Sequence, residues 1–252
     1  MPVKVAPRPA PAVCAMRRLL LHSPATHALS APCRPSPVLL RCVHAPPHSA
    51  RYVEGRCTVE HPLLAVIPDV VNAEEEARLV KDIERHVNRR RYETGHWDGV
   101  IEGYRELAGF PFDDDSQRIL ERRVHPHLPP FSGKLLPPHV LDLRESGFIS
   151  GHIDNINASG PLLAGLSLLS SCVMTLKHES RSEEKLNVLL PVRSLYIYSQ
   201  AGRFHWLHSI ASGSVTFNRT PVVRARRLSV LFRDEPPADA QPAAPALAPL
   251  VA

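Results

Sequence analysis

Gly151-His152-Ile153-Asp154 sets an imidazole and a carboxylate two residues apart, and Trp206-Leu207-His208 supplies a second imidazole much later in the chain. Two imidazoles and one carboxylate on one face of a metal leave its other positions open, a ligand set that suits Fe(II) with room for an anionic co-substrate and oxygen. Arg227-Leu228-Ser229-Val230-Leu231-Phe232-Arg233 then alternates as a strand does, so Arg227, Ser229, Leu231 and Arg233 share a face. Guanidinium groups on an inner face need anions, and a dicarboxylate matched to their forked N–H donors meets that need. The plainer alternative makes Arg224, Arg226 and Arg227 a solvated basic edge that discourages strand pairing.

The H-x-D spacing alone is weak, because 14 histidines among 252 residues make about half a match expected by chance. The chain has a second one, His96-Trp97-Asp98, in a segment with Gly95, Gly99 and Gly103 and no sustained alternation. His152 instead ends a strand-like stretch, and only its match is followed by a compatible histidine and a basic strand. His96 and Trp97 read as a packed, hydrogen-bonded loop. Between His205 and His208 the alternation Phe204, Trp206, His208 favours His208 as the inward residue and leaves His205 to water.

The positioning elements follow from periodicity. Asn72 and Glu75 form an N-x-x-E capping box ahead of Leu79, Val80, Ile83 and Val87, predicting an amphipathic helix over 73–90. A second helix is expected from Ser116, burying Ile119, Leu120 and Val124 and stopping before Pro126. Prolines 129, 130, 137 and 138 separate these from short strands at 139–143, 148–154, 162–169, 172–177, 186–190, 194–199, 203–209, 214–217 and 226–233. Eight or nine such strands predict a mainly β (α+β) domain, a double-stranded β-helix (jelly roll) braced by N-terminal helices and spanning 56–235.

The net charge of +5 suggests nucleic acid until its distribution is read. Residues 1–53 carry basic residues and no Asp or Glu, whereas the remainder is close to neutral, so no broad nucleic-acid footprint is visible. The acid-free, Arg- and Ser-bearing leader with Met16-Arg17-Arg18-Leu19-Leu20-Leu21 has the composition of a mitochondrial transit peptide; the matrix is the expected location. The alternative is a Pro-rich disordered tail, as expected also for the Ala/Pro-rich stretch 236–252. No apolar run is long enough for a transmembrane helix. Cys14, Cys33, Cys42 and Cys57 fall in or just after the leader, leaving Cys172 in the body, which fits a reducing compartment better than a disulfide framework.

With Gly151 to Asp154, Arg203 to Ile210 and the Arg227-to-Arg233 spacing in place, residues 58–235 resemble the AlkB-like Fe(II)- and 2-oxoglutarate-dependent dioxygenases. The stretches Arg90-Arg91-Tyr92-Glu93, His96-Trp97-Asp98, Ala164 to Ser170 and Ser194-Leu195-Tyr196-Ile197 resemble a mitochondrial branch of that family. The resemblance implies Fe(II), 2-oxoglutarate and O2 as cofactor and co-substrates, with His152, Asp154 and His208 as iron ligands. It further implies Arg227 as the clamp on the distal co-substrate carboxylate, Arg233 as the second arginine there and Tyr196 as a hydrogen-bonding contact. Two positions depart from the family pattern: Ser229 stands where Asn is common, and Arg193 where a turn glycine commonly precedes the tyrosine strand.

Repair members of the family hold flipped bases with a lid before the jelly roll. Here the matching region, 104–138, is short, Pro-rich and carries Asp113-Asp114-Asp115. Hydroxylation of a protein or another mitochondrial substrate is therefore expected ahead of nucleic-acid repair, with N-demethylation of a mitochondrial RNA through Arg89-Arg90-Arg91 as the alternative. A jelly-roll binding module without turnover and a cupin-type metal isomerase are the readings from other classes. The resemblance also implies a link to energy and fatty-acid metabolism and to regulated necrosis.

Overall fold

The computed structural model describes residues 52–56, 63–95, 99–131 and 133–236. The leader up to residue 51, the His96-Trp97-Asp98 match, the four leader-side cysteines and nearly all of the C-terminal tail lie outside the described residues.

The order of elements is β1 (Val53–Arg56), β2 (Leu64–Ile67), α1 (Ala73–Val87), β3 (Ile101–Leu107), α2 (Asp114–Arg123), a 3-10 turn (His125–His127), β4 (His139–His152), β5 (Leu163–Leu168) and β6 (Cys172–His178). There follow β7 (Lys185–Leu190), β8 (Leu195–Tyr198), α3 (Gln200–His205), β9 (Trp206–Ile210), β10 (Ser214–Phe217), β11 (Thr220–Val223) and β12 (Arg227–Arg233). Ten strands form one continuous ladder in the order β1-β7-β6-β9-β4-β12-β5-β8-β2, with β3 paired to β4 and β10-β11 a separate hairpin.

That ladder curls into two layers because β4 belongs to both. Its first half pairs β12 (Leu143 opposite Arg227, His139 opposite Leu231), whereas its far end pairs β9 (Ile149 opposite Ile210, His152 opposite His208). The β12 side and the β9 side then face each other: the Tyr198 hydroxyl on β8 donates to the Met174 sulfur on β6 at 2.9 Å. Between the layers lies a core of Leu141, Leu143, Met174, Leu176, Trp206 and Ile210. The outward residues of the first layer, among them Leu166, Leu228, Val230 and Phe232, pack against Leu79, Ile83 and Leu120 of the helices. Strand alternation on β12 thus feeds two cores at once.

The bend in β4 is held by one side chain. Arg224, 2% exposed, donates to the carbonyls of Arg144 at 2.8 Å and Glu145 at 2.9 Å, and also to that of Gly147. Between Ile149 and His152 the register shifts by one residue, a β-bulge. Ile149 and His152 therefore both line the interior although an unbroken strand would turn them to opposite faces.

The helices begin as capping dictates. The Asn72–Glu75 box is formed in both directions, and α1 stops at Val87 rather than at residue 90. α2 starts at Asp114, two residues before the expected Ser116, because Asp113 is the cap and accepts from the Ser116 N–H at 3.0 Å. The two strands expected at 139–143 and 148–154 are one 14-residue strand, and Asp154 lies just beyond it. The stretch 203–209 is a helix end followed by a strand, so Phe204 does not share a strand face with Trp206 and His208. β1, β2, β3 and β11 were not foreseen; in β3 the register shift at Gly103, φ 67°, interrupts the alternation that would have revealed it.

Outside the first layer, Asp142 is fully buried between two guanidinium groups. Arg105 meets it at 2.6 Å and Arg226 at 3.0 Å, and the Tyr92 hydroxyl donates at 3.2 Å. This network ties β3, β4 and the start of β12 to the segment after α1.

Candidate metal centre

His152 ends β4 and His208 sits opposite it on β9, so cross-strand pairing brings the two rings to 4.2 Å between centroids. Asp154 completes the group: its Oδ1 lies 3.2 Å from His152 Nε2 and 3.5 Å from His208 Nε2. Adjacent ligands on an octahedral cation with bonds of about 2.1 Å lie about 3.0 Å apart. The three donors therefore fit such an ion with small adjustments, and they are the one cluster of metal-ligand type among the described residues. His152 Nδ1 is 2.9 Å from the Ser150 carbonyl, which assigns the proton to Nδ1 and turns the Nε2 lone pair inward.

The electrostatics favour the ligating protonation states. Burial, only partly offset by the Asp154 charge, pushes the His208 pKa down to about 4, so its ring is neutral near pH 7. Burial acts to raise Asp154, but the close approach of His152 and the charge of Arg233 outweigh it and hold the carboxyl well below the usual range. Arg233 Nη2 reaches Asp154 Oδ2 at 2.8 Å. That contact occupies one carboxylate oxygen and leaves the other facing both imidazoles.

The expectation that both inner arginines await an anion therefore divides. Arg233 is already engaged by Asp154, while Arg227 is 1% exposed and has no carboxylate at ion-pair distance among the described residues. Arg227 donates to Ser167 Oγ at 3.2 Å and to Ser229 Oγ at 3.5 Å, and Ser229 is 3.0 Å from the Tyr196 hydroxyl. Ser229 is thus a short hydroxyl joining Arg227 to Tyr196 where the family commonly has Asn. The tyrosine ring comes up against Gly165, where a Cβ would stand 2.2 Å from its Cζ. Arg193, at the position where a turn glycine is common, adopts φ 64° and is tethered to Glu76 at 3.3 Å.

These groups line one cavity of about 410 Å³, a usual size for a small-molecule site. The metal group and the Arg227–Tyr196–Ser229 cluster stand on facing layers. The rest of the wall is mainly aliphatic, including Val100, Ile101, Leu136, Ile149 and Ile153, with Asn155 and Ser159 as polar members and His139 and Glu106 paired at 3.1 Å. His205 is outside: it is 60% exposed and pairs with Glu179 at 2.9 Å. Sequence reasoning missed the Asp154–Arg233 contact and the His139–Glu106 pair; β-pairing of Leu231 with His139 is the signal that would have placed the latter.

A family profile described as the 2OG-Fe(II) oxygenase superfamily matches residues 143–233. The mouse (Mus musculus) protein named alpha-ketoglutarate-dependent dioxygenase alkB homolog 7, mitochondrial, is 40% identical over 174 residues, 68% of this chain and 78% of its own length. The cattle (Bos taurus) protein of the same name is 38% identical over 172 residues, with the same two shares. Among solved structures, that of OsALKBH1 aligns at 16% identity and TM-score 0.48, covering 70% of this chain and 99% of that one.

Proposed function

The chain belongs to the AlkB-like Fe(II)- and 2-oxoglutarate-dependent dioxygenases, and on that premise we propose that it hydroxylates an aliphatic C–H bond of a protein, or of another mitochondrial substrate, in an open site. His152, Asp154 and His208 would hold Fe(II). Arg227, with Tyr196 and Ser229, would take the distal carboxylate of 2-oxoglutarate, and Arg233 would serve as the second arginine by fixing Asp154. Bound there, iron with 2-oxoglutarate and O2 would supply the oxidation, one oxygen atom of O2 entering succinate as CO2 leaves and the other entering the substrate C–H bond.

The protein's own contribution is orientation and charge. Neutral His208 and anionic Asp154 present lone pairs without a prior proton loss. Buried Arg227 offers a pre-oriented donor fork whose desolvation is already complete before the anion arrives. The aliphatic wall keeps competing polar groups away from the reacting carbon.

The observation that carries the substrate class is that wall. Apart from imidazoles, the aromatic rings among the described lining residues are Tyr196 and Tyr198, both buried, and hydrogen-bonded to Ser229 and Met174. Neither offers an open face on which a flipped base could stack. Within 104–138 only Glu106 and Leu136 reach the cavity among the described residues, while α2 packs on α1 and the outer core.

The test supplies purified enzyme with Fe(II), 2-oxoglutarate and either a mitochondrial protein digest or N-methylated mitochondrial RNA. A peptide gaining one oxygen atom, absent with His152→Ala, supports the proposal; formaldehyde released from the RNA alone would establish the demethylase reading instead. The mitochondrial names of the mouse and cattle relatives support import, and protease protection of the full chain inside intact mitoplasts would place it in the matrix. A role in fatty-acid metabolism and regulated necrosis follows from the resemblance, and acyl-chain profiles and necrotic death in cells carrying His152→Ala would read it.

A further inference from the structure

Asp154 lies outside any strand, yet its carboxylate must meet two imidazoles fixed on β4 and β9. Two buried side chains hold the segment that carries it. Arg203, in the last turn of α3 and 2% exposed, donates through Nη1 to the Asp154 carbonyl at 2.8 Å. Its Nη2 donates to the Asn155 carbonyl at 3.3 Å and to Ser159 Oγ at 3.1 Å. No carboxylate lies at ion-pair distance from this guanidinium among the described residues, so carbonyl and hydroxyl oxygens compensate its charge. A cation buried against backbone oxygens is a costly device unless the geometry it enforces is needed.

At the other end of the same segment stands Asp234, 0% exposed, directly after Arg233. Its Oδ1 accepts from the Leu162 N–H at 3.0 Å, and its backbone carbonyl accepts from the Gly160 N–H at 3.0 Å. Gly160 permits the approach: a Cβ there would come within 2.5 Å of Asp234 Oδ1. Residues 154–162 are thus gripped at the start by a side chain leading into the His208 strand, and at the end by one following the Arg233 strand.

We infer that Arg203 and Asp234 are positioning residues that clamp 154–162 and so set where the Asp154 carboxylate stands relative to His152 and His208. The inference rests on the reading of those three residues as the metal ligands. Arginine suits the site because its two terminal nitrogens, held apart in one plane, reach the Asp154 carbonyl on one side and the Asn155 carbonyl and Ser159 Oγ on the other, a spread that one ammonium centre does not match. Asp234 acts as an acceptor rather than as a charge, so an amide replaces it.

The test is calorimetric binding of Mn(II), which occupies the same ligand type without turnover, to the full chain. Arg203→Met should weaken binding by about 10- to 100-fold, the usual effect of losing a group that orients a ligand. Arg203→Lys, which keeps the charge but presents its donors from a single nitrogen, should recover part of that loss. Asp234→Ala should weaken binding severalfold, and Asp234→Asn should restore it to about the wild-type value. Leu79→Ala, a buried core change remote from the cavity, should lower stability and leave Mn(II) affinity unchanged. Should Arg203→Met not fold, Arg203→Lys and Asp234→Ala decide. Wild-type affinity in both, with binding lost in His152→Ala, overturns the clamp alone; so does an equal loss in Leu79→Ala. Unchanged affinity in His152→Ala overturns the ligand assignment and the clamp together.

Discussion

Arg227 gives the sharpest test, because its two duties pull stability in opposite directions. The guanidinium is 1% exposed and its partners are two serine hydroxyls, with no carboxylate at ion-pair distance among the described residues. Holding a charge there costs several kcal/mol of desolvation, of which each hydrogen bond to a charged group returns about 1.5–3 kcal/mol. Arg227→Met keeps most of the stem volume and removes the charge. Ser229 retains its Tyr196 partner at 3.0 Å. The variant without 2-oxoglutarate should therefore equal the wild type or exceed it by about 1–3 kcal/mol. Adding 2-oxoglutarate at about 100 times its dissociation constant stabilises a protein that binds it by about 2.7 kcal/mol, and one that cannot bind it by nothing. The order of the two proteins should approach parity or reverse when co-substrate is added. Urea unfolding followed by tryptophan fluorescence, with Mn(II) present throughout, reads both differences. A variant more than about 2 kcal/mol less stable without co-substrate, or one stabilised by it as much as the wild type, would refute the account of Arg227 as a desolvated cation waiting for an anion.

Gly165→Ala should displace the Tyr196 ring, since its Cβ would overlap Cζ at 2.2 Å; overpacking of this kind costs about 1–3 kcal/mol, and the KM for 2-oxoglutarate should rise while Mn(II) affinity measured by calorimetry holds. Asp142→Asn leaves two arginines facing a neutral amide in a buried network, and the urea midpoint should fall by an amount equivalent to about 3–5 kcal/mol. For Glu75, burial acts to raise the carboxyl, but the Asn72 N–H and the hydrogen bonds from Arg123 and Arg122 lower it on balance. Its folded pKa lies below its unfolded one, so its contribution is fully present above the unfolded value of about 4.3 and is lost as pH falls through the folded value. Glu75→Gln should flatten that acid limb of the stability profile measured by urea unfolding between neutral pH and pH of about 3.

Much of this architecture could be read from residue order, and the reasons for success and failure are specific. Asn72 and Glu75 announced α1 because capping is local chemistry, satisfied within one turn. The alternation of β12 announced its two faces, since Arg227 and Ser229 face the cavity while Leu228 and Val230 face the helices. Local patterns failed where partners distant in sequence decide. β3 is a strand because β4 pairs with it, despite the interruption at Gly103. Gln200–His205 is a helix although its sequence also suits an extended run: the Ser199 N–H ahead of it donates to the Leu63 carbonyl at 2.9 Å, and Gly202 leaves room for that carbonyl. The Arg233–Asp154 contact joins groups on opposite sides of the fold's chain path, and no spacing encodes it. The candidate ligands could be singled out individually; what held them in place could not.

The register shift between Ile149 and His152 makes the site depend on counting as well as on composition. Strand side chains alternate by parity, so at the present length an unbulged strand would turn His152 toward the opposite face while leaving every candidate ligand and both arginines in the sequence. A relative of the same length here but with a regular strand would carry the full inventory and yet assemble no centre, whereas one that lacks both the extra residue and the bulge would keep its histidine inward. Agreement between length and bulge is therefore as much a part of the motif as the histidine that follows.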